Sequence, residues 1–525
     1  MWALIQNRQI GRIVALESRQ EQVIALHSPR DDLGFAQLDA DNDRIWVRTM
    51  GDGDPINPQN WTLPSRSKNI AILSLLIFAQ AWAGSADSSA NKQASREFGV
   101  SQVAENLSTA MYLFGIGSGS LFAGPVSESI GRNPTYLVST FIYLLFLLAS
   151  GLTPTFSGQV ICRYFVGFFS SATLSINGSS VRDQFRPVKR TFVFPAIAWA
   201  NIVGPTVGPI VGGWIVSNSS LGWRWTEFIS LIISAVAWVI ALLLLPETYL
   251  PILLDWKARQ LRHCTGDTRY ASEHSASSSF FGRVKDILPL PVIFFATEPV
   301  ISVLGCYLIL LYSILFTFLS GFDYIFTQTY GMSTGQTGSC FAAIAVGATI
   351  AAFAAPGLYI CARQKTKYQH GATVPPEFRL WPAIIASPFL PISLFWLGWT
   401  NYTTVSMWSG LSACGIFGLV LIFIYISCYE YIIDSYGEHS ASALASITML
   451  RYLVAGGMVM ASRPMYEGIG VHWTMTILGC ASILLVPMPL LFKRYGVQLR
   501  RRSRYAESPV SRPNSQLVSS GAVRV

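Results

Sequence analysis

Charged residues are scarce in this chain. Only 12% of its 525 residues are Asp, Glu, Lys or Arg, whereas 51% are hydrophobic and the mean hydropathy is +0.42. This composition is too apolar for a single soluble domain and is typical of a polytopic membrane protein. The formal net charge of +9 does not indicate a nucleic-acid partner, because the Lys and Arg residues lie in short segments between apolar runs.

Motifs of metal, cofactor and nucleotide chemistry are missing as well. The eight cysteines occur singly, without a Cys-x-x-Cys pair, and the six histidines lie mainly in polar segments. This spacing favours neither a zinc site nor a disulfide framework. The sequence contains no Gly-x-x-x-x-Gly-Lys-Ser/Thr loop, so it lacks the signature of ATP-driven pumping. We therefore expect no metal and no other cofactor.

Long apolar runs, by contrast, are abundant. Each has about twenty residues, which is enough to cross a bilayer as a helix. Six runs precede a polar centre and six follow it, near 69–90, 107–127, 134–153, 159–180, 191–216, 226–245, 299–320, 337–360, 380–399, 405–430, 441–462 and 472–492. The sequence therefore predicts an all-α membrane protein with about twelve transmembrane helices in two six-helix bundles.

The polar segments divide the chain and orient it. The first twenty residues lack the apolar core of a secretory signal. Basic residues follow the fourth, eighth and twelfth runs, all on one side of the membrane, so we expect both termini in the cytosol. The predicted parts are a cytosolic tail (1–65), a first six-helix bundle (66–245), a cytosolic linker (246–297), a second six-helix bundle (298–494) and a second cytosolic tail (495–525).

The fifth apolar run is rich in glycine and proline. Three of its glycines recur every four residues and form one bare stripe on a helix, against which a neighbouring helix can pack closely. Its prolines remove backbone donors, which predicts a bent helix. A plain small-residue packing face is the alternative interpretation. The residues of this motif are Gly204, Pro205, Gly208, Pro209, Gly212 and Gly213.

This run resembles the Gly-Pro-rich fifth-helix motif of proton-coupled exporters in the major facilitator superfamily. A second stretch, Asp54-Pro-Ile-Asn-Pro-Gln-Asn-Trp61, is similar to the pattern that precedes the first span in fungal multidrug and polyamine exporters of that superfamily's drug:proton antiporter group 1. The resemblance extends from about residue 54 to 505. It implies the major facilitator fold and drug:proton antiport by alternating access of two bundles.

The loop between the second and third runs carries a further motif. Its sequence, Gly124-Pro-Val-Ser-Glu-Ser-Ile-Gly-Arg-Asn-Pro-Thr-Tyr136, resembles the signature loop of the superfamily. The resemblance implies that Glu128 and Arg132 latch the two bundles together on the cytosolic side, and that Gly124 and Gly131 permit a tight turn. An ordinary solvated turn is the alternative.

Ionisable residues in or beside the apolar runs are candidates for proton coupling. Arg163 lies near the outer end of the fourth run, where an arginine faces a cavity, pairs with a partner or snorkels to the headgroups. Its resemblance to the family's fourth-span Arg motif implies a role in proton coupling. Asp87 and Asp323 are the acids closest to the first and seventh runs. Either acid is a candidate proton carrier if it is buried, because burial raises the pKa of a carboxyl group, and an ordinary surface acid if it is exposed to solvent.

These observations favour a secondary transporter that exports a small amphipathic organic compound in exchange for protons, acting as a monomer in the plasma membrane. A polyamine or organic-acid transporter of the same superfamily is the alternative. A polytopic membrane enzyme is less favoured, because we find no His, Asp, Cys or Ser set with catalytic spacing. Three Asn-x-Ser/Thr triplets that this topology places outside are candidate glycosylation sites, at Asn106, Asn218 and Asn401.

Overall fold

Helices form most of the protein. The computed structural model describes residues 2–24, 36–39, 44–49, 53–218, 220–273, 288–367, 375–503 and 505–506. The first half contains α1 (Trp2–Ile24), α2 (Leu63–Ala83), α3 (Asn91–Phe98), α4 (Gln102–Ile130), α5 (Arg132–Leu152), α6 (Phe156–Gln184), α7 (Pro187–Ser217), α8 (Arg224–Leu244) and α9 (Leu250–Thr265). The second half contains α10 (Leu290–Thr297), α11 (Pro299–Phe322), α12 (Thr334–Cys340), α13 (Ala342–Lys367), α14 (Trp381–Ala386), α15 (Phe389–Trp399), α16 (Met407–Tyr436), α17 (Ser440–Leu485) and α18 (Met488–Arg502).

Nine helical segments of the described residues are long and apolar enough to cross a membrane. The last of them, Ser440–Arg501, holds two crossings, because Gly470, at φ 77° and ψ 173°, interrupts the helical path within α17. Helices α4 and α6 have 29 residues each, long enough to cross, but their many Gly and Ser residues lower their hydropathy. With these two helices, the twelve crossings predicted from the sequence are confirmed.

Helices α4 and α6 tolerate polar residues because protein, rather than lipid, surrounds them. Helix α4 packs along α6 in its own half and along α17 of the second half. Buried serines on both helices satisfy their hydroxyls locally: Ser120 donates to the Gly117 carbonyl and Ser170 to the Gly167 carbonyl, each at 2.8 Å. Helices α5 and α8 instead expose large apolar side chains on the outside of the bundle.

The helices of each half pack mainly against one another and meet the other half along two seams. One seam joins α4 to α17, and the other joins α7 to α12 and α13. A single cluster of buried apolar side chains extends through both halves. The helices that carry the glycine stripe and the signature loop therefore lie at the boundary between the halves.

The N-terminal segment and the start of the linker form a small structured unit. Helix α1 packs on α9 and buries Ile10 and Val14 against Leu253 and Leu261. Strand β1 (Ala36–Asp39) runs antiparallel to β2 (Arg44–Val47), which runs parallel to β3 (Tyr270–Ala271). We call the bundle ends beside this unit the terminal face and the opposite ends the distal face. The Ser-rich part of the predicted linker, 275–279, lies outside the described residues.

Candidate functional site

A buried ion cluster surrounds Arg163 near the distal face. Arg163 lies in the second turn of α6, and its side chain is 1% exposed. The guanidinium pairs with the carboxylates of Asp87 and Glu227, the latter at 2.6 Å, and donates to the Ala83 carbonyl at 2.8 Å. Arg163 therefore does not snorkel to the headgroups, because its charge is held by partners inside the first bundle.

Further polar groups support the acids of this cluster. The Ser108 hydroxyl donates to Asp87 at 3.1 Å, and the Ser150 hydroxyl donates to Glu227 at 3.2 Å. Glu105 is 4% exposed and interacts electrostatically with both Asp87 and Arg163. The site thus gathers three buried carboxylates around one guanidinium.

Two of these acids were not found from the sequence. Glu105 and Glu227 stand in the first turns of α4 and α8. Both helices begin at the face where α6 begins. Acids at span ends that the predicted topology places on the side of Arg163 are therefore the signal by which the sequence could have identified them. Asp323 behaves differently from Asp87. It is exposed, in a wide turn that follows α11, and forms no ion pair among the described residues, so the structure does not bring it to Arg163.

The signature loop is tighter than its sequence length indicates. Helix α4 continues to Ile130 and α5 begins at Arg132, so Gly131 alone makes the turn. Its φ of 104° disfavours any side chain, and a Cβ there would lie 2.4 Å from Glu247 Oε2. Gly124 instead lies inside α4 with open space beside it, which corrects its expected role in the turn.

The contacts of Arg132 remain within the first half. Its side chain pairs with Asp183 at 2.9 Å and bonds the Ser127 hydroxyl at 2.5 Å, while its main-chain N–H donates to Glu247 at 3.0 Å. Glu128 is half-buried and lies near the charges of Arg132, Arg182 and Asp183, all of them in the first half. The structure thus corrects the expectation that this loop latches the two bundles directly, because its partners are neighbours in the same bundle.

The latch between the halves at the terminal face is made by other residues. Asp434 of α16 pairs with Arg190 of α7 and with Arg379, the latter at 2.7 Å. Arg379 also donates to the Pro187 carbonyl at 2.7 Å. Because Asp434 and Arg379 belong to the second half and Arg190 and Pro187 to the first, these bonds close the halves on this side.

The Gly131 turn gives a stability prediction. We expect Gly131→Ala to lower the free energy of unfolding by about 1–3 kcal/mol, because alanine is strained at this φ and its Cβ meets Glu247. The matched control is Gly124→Ala, where a Cβ meets nothing within 4 Å. Thermal unfolding of the purified variants measures the difference. Equal unfolding temperatures for the two alanine variants would contradict this explanation.

The glycine stripe on α7 faces the first membrane helix and the turn that follows it. A Cβ at Gly204 would lie 2.8 Å from Ala81 Cβ, and a Cβ at Gly212 would lie 2.5 Å from the Ala86 carbonyl oxygen. Helix α7 continues through Pro205 and Pro209, and the Pro209 carbonyl accepts from the Ser89 hydroxyl at 3.0 Å. The stripe therefore allows main chain to approach main chain.

The neighbouring face of α7 contacts the second half close to the distal face. A Cβ at Gly213 would lie 2.8 Å from the Thr334 carbonyl oxygen. The Trp214 indole N–H donates to the Ser339 hydroxyl at 3.0 Å. Together with the Arg190–Asp434 pair, these contacts join the halves at both faces.

Two of the three glycosylation candidates are buried. Asn106 is 9% exposed and accepts from the Asn91 amide at 2.9 Å, and Asn401 is 9% exposed and donates to Thr329 at 3.2 Å. A glycan needs open space around the amide nitrogen, so the structure corrects the expectation at these two positions. Asn218 is exposed and stays a prediction.

Comparisons with known proteins agree with this architecture. A sequence model of the Major Facilitator Superfamily matches residues 73–461. The chain is 41% identical over 458 residues to the MFS-type transporter kojT of Aspergillus flavus, covering 86% of this chain and 81% of that protein. It is 33% identical over 465 residues to the citrinin biosynthesis cluster MFS transporter mrr1 of Monascus ruber, covering 88% of this chain and 92% of that protein.

A solved structure shows the same fold. The proton:xylose symporter XylE aligns with a TM-score of 0.61 and 14% sequence identity, covering 83% of this chain and 96% of that protein. Fold and relatives together define a multi-pass membrane transporter rather than an enzyme. The chain belongs to the Major Facilitator Superfamily, and the fold predicted from the sequence is confirmed.

Proposed function

We propose that this transporter couples the inward movement of protons to the outward movement of a small amphipathic organic compound. It acts as a monomer in the plasma membrane with both termini in the cytosol. Proton coupling takes place at Arg163 and its buried carboxylates. Substrate passes between the two halves by alternating access, as the terminal and distal contacts open in turn.

The observation that supports proton coupling is the charge balance of the Arg163 cluster. Asp87, Glu105 and Glu227 are 7%, 4% and 1% exposed, and among the described residues only Arg163 forms an ion pair with any of them. Full ionisation of the acids would leave three negative charges against one positive charge. Burying unbalanced charge is costly, and a proton on one of the acids lowers that cost. Such a cluster is suited to taking up and releasing protons.

The cluster is also connected to the helices that must move. Arg163 bonds the Ala83 carbonyl at the end of α2, and the adjoining residues Trp82 and Ser85 contact the glycine stripe at Gly208. The same helix α7 contacts the second half. These contiguous packed residues are the proposed route by which motion of the halves affects proton binding at Arg163.

The relatives support an organic metabolite as cargo. One of them is named as a transporter of the citrinin biosynthesis cluster, and this chain covers 92% of its length. The alternative cargo within the same fold is a polyamine or an organic acid.

A flux assay with three probes tests the proposal and its alternative. Proteoliposomes are loaded with ethidium, spermidine or p-aminohippurate, which represent amphipathic drugs, polyamines and organic acids. We expect at least one probe to leave faster when the outside is acidified, and a protonophore to remove the acceleration. Protein-free liposomes correct for leakage. Efflux that is independent of the pH gradient for every transported probe would contradict proton coupling.

The topology gives a separate prediction. Basic residues such as Arg182, Lys189 and Arg190 lie at the terminal face, which supports its cytosolic location. Epitope tags at the N- and C-termini are expected to bind antibody only after the cells are permeabilised. A tag inserted at exposed Asn218 on the distal face is the matched control and is expected to bind antibody on intact cells. Labelling of the terminal tags on intact cells, with the Asn218 tag labelled only after permeabilisation, would contradict the predicted membrane orientation.

A further inference from the structure

A second buried arginine lies deep in the second half. Arg451 is 0% exposed and stands eleven residues after Ser440, where α17 begins. At 1.5 Å per residue it lies about 16 Å along the helix, close to half of a hydrocarbon layer about 30 Å thick. An arginine at that depth is costly, and such residues generally have a partner or a function.

The guanidinium of Arg451 has no hydrogen-bond acceptor at bonding geometry among the described residues. Its Nε, Nη1 and Nη2 atoms are all buried and unpaired. The other buried arginines of the described ranges are different. Arg66 donates to two backbone carbonyls, at 3.0 and 3.3 Å. The remaining ones pair with carboxylates, and these are Arg132, Arg163, Arg190, Arg379 and Arg500.

Tyrosine rings enclose this unbalanced charge. The guanidinium carbon lies 4.1, 4.8, 5.4 and 5.5 Å from the ring centres of Tyr312, Tyr452, Tyr425 and Tyr429. Cation–π contacts hold the guanidinium in place. They do not supply hydrogen-bond acceptors for the N–H groups at the edge of the guanidinium. The hydroxyls of Tyr312 and Tyr425 are buried and also lack a partner at bonding geometry. We call Arg451 and these four tyrosines the tyrosine cage.

The first half closes the tyrosine cage. Phe194 of α7 stacks on Tyr425, with ring centres 6.4 Å apart, and lies 5.9 Å from the Tyr429 ring. Arg190, which pairs with Asp434 at the terminal face, lies one turn before Phe194 on the same helix. Phe194 therefore lies between the first half and the tyrosine cage, on the helix whose Arg190 joins the two halves.

We propose that Arg451, with the hydroxyls of Tyr312 and Tyr425, binds the acidic group of the transported compound, and that the substrate is a small aromatic organic anion. This inference rests on the proposed transport function and, among the cargo classes considered there, selects an organic acid with an amphipathic aromatic body. A carboxylate accepts two parallel N–H bonds from a guanidinium, which supplies the missing acceptors. A flat apolar body packs on Phe194 and the tyrosine rings. A polyamine is disfavoured, because it would meet an unbalanced positive charge.

Equilibrium binding tests the inference without any pH gradient. The probes are benzoate and its neutral analogue benzamide, titrated into the full-length transporter in nanodiscs. Wild type is expected to bind benzoate more tightly than benzamide. Arg451→Gln should weaken benzoate binding about 10- to 100-fold, the range for a lost hydrogen bond to a charged group, and remove the preference. Arg259→Gln is the control, since Arg259 is exposed on α9, and it should leave both affinities unchanged.

Thermal unfolding separates binding from a structural role. Ligand-free Arg451→Gln is expected to be at least as stable as wild type, because it removes a buried unbalanced charge. Benzoate should raise the unfolding temperature of wild type and not that of the variant. A variant that is less stable than wild type yet binds benzoate normally would assign Arg451 a structural role and overturn the inference.

A second variant covers the case in which Arg451→Gln does not fold. Tyr425→Phe keeps the ring and removes the unpaired hydroxyl, so weaker benzoate binding supports the inference and unchanged binding overturns it. Equal affinities of wild type for benzoate and benzamide also overturn it. If Arg451-dependent binding is intact while transport ignores the pH gradient, the proposed proton coupling fails and the anion site stands.

Discussion

Replacing Arg163 with alanine is expected to abolish gradient-driven efflux, whereas Arg163→Lys should retain part of it. Alanine leaves Asp87 and Glu227 buried without their positive partner, and breaking a buried ion pair costs about 3–5 kcal/mol. The proposed proton site then lacks its positive charge, so proton exchange at the site is expected to stop. Lysine keeps one positive charge but cannot span both carboxylates and the Ala83 carbonyl with a planar fork.

The measurement for Arg163 is efflux per transporter molecule from vesicles with an imposed pH gradient, at equal protein abundance. The matched control is Arg224→Ala. Arg224 also pairs with an acid, Glu97, near the distal face, but this pair is partly exposed, with side-chain exposures of 27% and 48%. The control should retain most of the wild-type flux, because exposed ion pairs contribute little. Wild-type gradient stimulation in Arg163→Ala would remove Arg163 from the mechanism.

Replacing Gly208 with leucine is expected to eliminate transport as well, for a steric reason. Even a Cβ at this position would lie 2.4 Å from Ser85 Oγ and 2.9 Å from the Trp82 carbonyl oxygen, and leucine adds three further carbons. Backbone atoms cannot rotate away as a side chain does, so α7 must shift from α2. Overpacking of this kind costs typically about 1–3 kcal/mol and displaces the helix that contacts the second half.

Surface abundance and efflux of the Gly208→Leu variant are measured together. The control is Gly457→Leu, because Gly457 is an exposed helical glycine at which a Cβ meets nothing within 4 Å. The control should be expressed and transport normally. Normal transport by Gly208→Leu at normal abundance would show that the glycine stripe is not needed for close packing.

The fold was predictable because membrane crossing imposes a length and an apolar composition that appear directly in the sequence. Even α4 and α6 were found, although their Gly and Ser content lowers their hydropathy. Interactions between distant segments were less visible. Helix α1 also pairs with the segment that precedes α9, where Gln6 and Glu247 exchange two hydrogen bonds across 241 positions. Neither segment alone indicates its partner.

The site was predicted only in part, because some of its residues are unusual in their local sequence and others are not. Arg163 stands out because an arginine in an apolar run is unusual, and Asp87 because it is an acid near the outer end of the first run. Glu227 lies at a span end where acids are ordinary, so only the fold shows that it is buried. Arg190 and Asp434 are 244 positions apart, and their pairing depends on the docking of the two halves. Contacts between the halves join residues far apart in the chain, so they leave no local pattern in the sequence.

Antiport means that substrate and protons move in opposite directions through one protein. The most direct measurement loads proteoliposomes with the transported probe and a pH-sensitive dye, at equal pH on both sides, and follows lumenal pH as the probe leaves. Antiport predicts that the lumen acidifies in step with efflux, and that the acidification is absent in Arg163→Ala. Efflux of the probe with a constant lumenal pH would contradict the proposed coupling.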